Sequence, residues 1–190
     1  MSAPQFIFLI RHAEKPVEVG GTTYDGIDVT GSPNPHSLIP RGWQRAGGLA
    51  TLFDTAVGTM RTDLAVPGRL YSPDYSKPGK TINHRTYETI LPLSRRLGLA
   101  IDTSHQEGQE AQLAAAILAS GAEVCLVAWE HGHIPAIAAA IPVVAGTAVP
   151  TAWPVDRFDV VWRFTLAGGD GAAYRFAALP QSLLAGDGPV

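Results

Sequence analysis

A chain of 190 residues is the size of one ordinary domain and can bury a substantial core without disulfides or a structural metal. Its 46% hydrophobic and 16% charged residues exclude an intrinsically disordered chain. The formal net charge of −3 gives no reason to expect a nucleic-acid backbone or an anionic membrane as partner, so any positive charge that matters is local.

Phe6–Ile10 is a continuous β-branched and aromatic run, expected as a strand buried on both faces. Nothing basic precedes it and no small-residue cleavage pattern follows, so a signal peptide is not expected, nor is there a run of about 18 apolar residues to span a bilayer. A cytoplasmic enzyme is the expectation. Residues 15–37 carry Gly20, Gly21, Gly26, Gly31, Pro33 and Pro35 and are expected to form a long loop covering a pocket. A helix is expected from about Arg41 to Ala56, a short strand at Leu70–Ser72, and a helix from Ile82 to Leu97 stopped by Gly98. Pro92 is expected to kink that helix or split off its last turns. Then come a short strand at Leu99–Ile101, a helix from Glu110 to Ala119 and a buried strand at Val124–Trp129 holding the lone Cys125. A short helix is expected at Ile134–Ile141. The runs Phe158–Phe164 and Ala173–Ala177, joined by Gly168-Gly-Asp-Gly171, read as a hairpin, and the tail 180–190 as loosely ordered.

Strands alternating with helices imply a single α/β domain over residues 1–190: a three-layer sandwich with a mostly parallel central sheet, helices on both faces and an antiparallel edge strand. In such sheets ligands bind beyond the carboxyl ends of the strands. The two most apolar strands end in Arg11-His12-Ala13-Glu14-Lys15 and Glu130-His131-Gly132-His133, so two histidines can face one pocket beside an arginine.

Arg11-His12-Ala13-Glu14 after an apolar strand resembles the Arg-His-Gly/Ala motif of the histidine-phosphatase superfamily, which includes the cofactor-dependent phosphoglycerate mutases. Leu38-Ile-Pro-Arg-Gly-Trp-Gln-Arg-Ala46, Leu70-Tyr-Ser-Pro73, Arg85-Thr-Tyr-Glu-Thr89 and His131-Gly132 resemble its further motifs, in family order, from Phe6 to Ile141. The resemblance implies that His12 is the nucleophile, that Arg11, Arg85 and His131 bind the phosphoryl oxygens, and that a glutamate after the third strand is the general acid. Glu107 is the first candidate for that acid and Glu110 the second, although the family's longer motif around it is absent. An aspartate directly after the second histidine is also absent, since Gly132 stands there.

The chemistry fits these residue types. A phosphoryl group in transfer spreads negative charge over its equatorial oxygens, so two planar arginine forks and a histidine donor suit it. An unprotonated ring nitrogen of His12 attacks phosphorus, while a hydrogen bond from the other nitrogen to a backbone carbonyl fixes the tautomer. Lys15 and His84 are expected to add substrate contacts, with Glu14 and His133 at the pocket edge. The expected function is a phosphatase working through phosphohistidine at His12, on a small phosphorylated molecule or a phosphorylated protein side chain, without a cofactor or metal. The alternatives are a mutase-type phosphotransferase, a phospholigand-binding module without turnover, and a metal-dependent hydrolase using His12, His131 and His133.

Overall fold

A computed structural model describes residues 2–54, 61–75, 82–168 and 173–190. Its elements in chain order are β1 (Phe6–Arg11), β2 (Val17–Val19), β3 (Thr22–Tyr24), α1 (Pro40–Leu52), β4 (Arg69–Tyr71), α2 (Arg85–Leu97), β5 (Ile101–Asp102), α3 (Glu110–Leu118), β6 (Val124–Trp129), α4 (Ile134–Ala139), β7 (Val160–Leu166) and β8 (Tyr174–Pro180). Six strands form one sheet in the order β5-β4-β6-β1-β7-β8. β5, β4, β6 and β1 are parallel, β7 runs antiparallel to β1, and β8 closes the edge antiparallel to β7.

Alternation along the central strands divides the core into two layers. Ile7 and Leu9 of β1 and Cys125, Val127 and Trp129 of β6 pack with Leu113 and Ile117 of α3 and Ile134 and Ile137 of α4. Phe8 and Ile10, with Leu126 and Ala128, pack with Leu49 and Leu52 of α1 and Ile90 and Leu93 of α2. Both faces of β1 and β6 are therefore covered, which is why these strands are apolar without alternation. The result is the three-layer α/β sandwich. Among the described residues, no helix is long and apolar enough to cross a membrane.

Several boundaries differ from the sequence reading. The first helix ends at Leu52; Thr55 and Ala56 lie outside the described residues, as do the Gly169-Asp-Gly171 turn positions. The second begins at Arg85 rather than Ile82, and it runs through Pro92 to Leu97 without losing its last turns. Gly98 then takes a left-handed conformation at φ 66°, which ends the helix. Within the long loop, β2 and β3 form a small antiparallel hairpin that the glycine density concealed. Phe158 precedes β7 instead of beginning it. The tail, expected to be loosely ordered, has a buried Gln181 and is tied down by Arg41 to the Ala185 carbonyl at 2.6 Å and Arg45 to Asp187 at 2.8 Å.

One feature of the register positions the site. The β1–β6 pairing ends at Arg11 opposite Trp129. The next residues, His12 on one strand and Glu130-His131 on the other, therefore leave the sheet side by side, and the His12 amide still donates to the Trp129 carbonyl at 3.2 Å.

Candidate active site

His12 is 4% exposed. Its Nδ1 lies 2.7 Å from the carbonyl oxygen of Ala13, and a carbonyl can only accept, so Nδ1 carries the proton and Nε2 the lone pair. Ala13 is itself fixed: its amide donates to Thr89 Oγ1 at 2.8 Å, and that hydroxyl donates to the Arg85 carbonyl at 2.6 Å. α2 thus holds the turn that sets the His12 tautomer. Burial, with Arg11, Arg85 and Lys15 opposing a further positive charge, pushes the His12 pKa down to about 3 against the raising effect of the Ala13 bond. The imidazole is neutral throughout the physiological range.

Arg11, the last residue of β1, is 2% exposed. Its guanidinium carbon sits 4.0 Å over the Phe158 ring, and its Nη1 donates to the Val155 carbonyl, but its buried Nε has no partner. Arg85 opens α2 and donates from Nη2 to the Pro35 carbonyl at 2.9 Å, and its buried Nε is likewise unpartnered. Desolvation lowers the pKa of both arginines, opposed at Arg11 by Glu130, Asp156 and Glu14 and at Arg85 by Glu88. Two incompletely paired guanidinium groups thus act on one neutral imidazole. Such buried donors are costly unless a ligand satisfies them.

His131 stands with its ring centroid 6.5 Å from that of His12, nearly perpendicular at 84°. Burial lowers its pKa, helped by Arg11 and Lys15 and opposed by Glu130. Its Nδ1 meets Glu130 Oε1 in an ion-pair contact. The other Glu130 oxygen accepts from the Gly132 amide at 2.7 Å. A Cβ built on Gly132 would stand 2.9 Å from that oxygen, so glycine here lets the carboxylate fold back beside the histidine.

The cavity beside this cluster, about 420 Å³, is lined by Arg11, Lys15, His131 and Arg41, with an apolar side including Ile39, Val155 and Phe158; His12, Arg85 and Glu130 adjoin these residues but are not among those lining it. Asp156 lies on its wall. The segment carrying Val155 to Phe158 is pinned from below, since Trp153 Nε1 donates to the Arg157 carbonyl at 2.9 Å. Neither that segment nor Glu130 was singled out from the sequence. Asp156-Arg157-Phe158-Asp159 just before a strand was the available signal.

The other expected residues are placed as follows. Lys15 is exposed on the cavity wall. Glu14 is turned away into ion pairs with Arg45 at 2.8 Å and Arg41 at 3.2 Å, though it still borders the cavity. His84 stacks on Tyr75, ring centroids 4.1 Å apart, and is not among the cavity-lining residues. Glu107 lies in the turn between β5 and α3, on the same rim of the sheet but also not on the cavity wall. Glu110 is buried and engaged by the Gly108 amide at 2.9 Å, Trp129 Nε1 at 3.2 Å and His133 Nδ1 at 2.9 Å. That last contact takes His133 to α3 rather than into a pair with His131.

His12, Glu130 and His131 each offer a donor atom within 4.8 Å of the others, close enough to hold a metal ion. Arg11 and Lys15 act on both histidines and Arg85 on His12, each disfavouring added positive charge. Glu130 acts the other way on His131.

Compared by sequence, the chain matches no protein-family model and no curated protein. Solved structures do match its fold. The protein histidine phosphatase SixA, complexed with tungstate, superposes with a TM-score of 0.55 at 13% identity, over 93% of this chain and 97% of that one. An Escherichia coli K-12 protein assigned as an alpha-ribazole-5'-P phosphatase gives 0.58 at 13% identity, over 95% and 98%. A mycobacterial glucosyl-3-phosphoglycerate phosphatase gives 0.51 at 13%, over 93% and 97%. The likeness is one of fold, and the solved structures that share it are named as phosphatases.

Proposed function

We propose that this protein is a phosphatase that hydrolyses a small phosphorylated substrate through a phosphohistidine at His12. The observation that carries this reading is the His12–Ala13 hydrogen bond, which leaves Nε2 as a neutral nucleophile among Arg11, Arg85 and His131. In the first half-reaction Nε2 attacks phosphorus in line, the P–O bond to the leaving group breaks, and the bond electrons leave with that oxygen. The unpartnered Nε groups of Arg11 and Arg85 are suited to the equatorial oxygens. A bound phosphoryl dianion on one side and Glu130 on the other hold His131 as the imidazolium, a stronger donor. In the second half-reaction water attacks the phosphohistidine, releasing phosphate and restoring His12.

A cavity of about 420 Å³ supports a small-molecule substrate, and the similar structures named as phosphatases of ribazole and glucosyl-phosphoglycerate esters support the same class. The cytoplasmic setting remains part of the proposal and rests on the sequence. Hydrolysis is preferred to mutase transfer because, among the described residues, the further basic groups on the cavity wall are a single exposed Lys15 and an Arg41 already paired with Glu14 and the Ala185 carbonyl.

The test is His12→Ala with p-nitrophenyl phosphate. Turnover is expected to fall by at least about 10³-fold while the fold and tungstate binding persist. Acid-quenched wild type is expected to carry acid-labile phosphate on His12. Substantial turnover in the variant overturns the mechanism. A chelator is expected to leave wild-type turnover unchanged, and its loss would revive a metal-dependent hydrolase.

A further inference from the structure

Two of the carboxylates near the cavity already have other work. Glu14 is paired with Arg41 and Arg45, and Glu110 with Trp129, Gly108 and His133. Glu130 is different. It follows β6 directly, holds one oxygen on the Gly132 amide and the other against His131 Nδ1, and keeps its side chain 28% exposed to water. It also places an oxygen within 4.8 Å of the ring nitrogens of both histidines.

We propose that Glu130 is the general base of the second half-reaction, taking a proton from the water that attacks phosphohistidine. The inference rests on the phosphohistidine reading above. Water oxygen forms the new bond to phosphorus as the P–Nε2 bond breaks, and that electron pair returns to the His12 ring. One water proton passes to a Glu130 oxygen and then to solvent or the departing phosphate. The Gly132 amide holds one Glu130 oxygen at 2.7 Å, and a side chain at that position would make the carboxylate shift.

The experiment is rapid-quench kinetics of wild type, Glu130→Gln and Glu130→Asp with p-nitrophenyl phosphate. The glutamine variant is expected to release a burst of p-nitrophenol near one per active site, slowed far less than its steady-state turnover because Glu130 reaches the first step only through His131. Its steady-state turnover is expected to fall about 10²-fold or more as phosphohistidine accumulates. The aspartate variant is expected to recover part of that loss; if the glutamine variant does not fold, selective slowing of dephosphorylation in the aspartate variant supports the role. Steady-state turnover within threefold of wild type, or equal slowing of burst and turnover, overturns the role of Glu130. Wild type that never carries phosphate on His12 overturns the nucleophile reading and this step with it. Wild type that does, beside a glutamine variant that accumulates none, overturns this step alone.

Discussion

Arg11 and Arg45 are equally buried, at 2% exposure each, yet the fold treats them in opposite ways. Arg45, in α1, is fully matched: Nε and Nη2 meet Glu14, Nη1 meets Gln181, and both Nη groups meet Asp187 at 3.0 and 2.8 Å. Burial works against its charge, but those bonds win and raise its pKa. Arg11 has a ring beneath it and backbone carbonyls at Nη1, with Nε left over, and its pKa is lowered. The first arrangement joins α1, the loop after β1 and the tail into one rigid unit. The second keeps binding capacity in reserve. An unpartnered donor alone does not mark a site, since Arg163 Nε on β7 is unpartnered as well; Arg11 is set apart by acting on both His12 and His131.

The largest expected effect follows from that reserve. Arg11→Ala is expected to lower kcat/KM by about 10³-fold, roughly 4 kcal/mol of transition-state binding. Its melting temperature should stay level or rise, since the variant removes an incompletely paired buried charge. A fall in melting temperature together with unchanged kcat/KM would make Arg11 a structural residue like Arg45.

Arg45→Ala is expected to do the reverse. Glu14 and Asp187 lose their partner, a change of about 3–5 kcal/mol for a broken buried ion pair. For a domain of this size that lowers the melting temperature by roughly 6–20 °C. Below the transition, kcat should remain close to wild type. Thermal unfolding beside initial rates checks both parts.

Acid separates the two regions more finely. His12 has a depressed pKa of about 3, so between that value and its ordinary one near 6.5 the unfolded chain binds the extra proton, and stability falls as pH falls through this window. Asp187 is held at about 2: burial pushes it up, but its bonds from Arg45 and the Leu183 and Leu184 amides bring it lower. Its contribution is present above about 4 and is lost as pH falls toward 2. His12→Gln is expected to flatten the stability curve in the upper window and Asp187→Asn in the lower. Denaturant midpoints measured from pH 7 to pH 2.5 distinguish them.

The sequence made Arg11 legible and hid its counterpart. Phe6–Ile10 and Val124–Trp129 announced central strands because both faces are covered, and the polar residues that end them had to emerge on one rim. Thr89 and Glu130 stand in segments that the sequence already places at the site, but what they touch there was not legible, and Phe158 arrives on a loop 144 to 147 positions beyond Arg11. Thr89 reaches the Ala13 amide across 76 positions, and no local pattern encodes that pairing. The contacts of the tail are equally non-local: its composition is that of a loop, while Arg41, Arg45 and Arg157 bind it from far upstream.

The smallest effect is expected at Glu107, where resemblance and geometry part. β5 is separated from β1 by β4 and β6, three strand steps or roughly 14 Å at the usual spacing. Neither Glu107, just past β5, nor His12 is among the residues lining the cavity beside Arg11 and His131, so it is the strand separation that sets Glu107 apart. A general acid must come within hydrogen-bond reach of the leaving oxygen, directly or through one water. Glu107→Gln is therefore expected to leave turnover of both p-nitrophenyl phosphate and a simple alkyl phosphate within about threefold of wild type. The pair of substrates is chosen because an alkoxide needs its proton far more than a nitrophenolate does. A loss confined to the alkyl ester would give Glu107 the acid role that the resemblance implies, and would require the segment between β5 and α3 to move over the bound substrate.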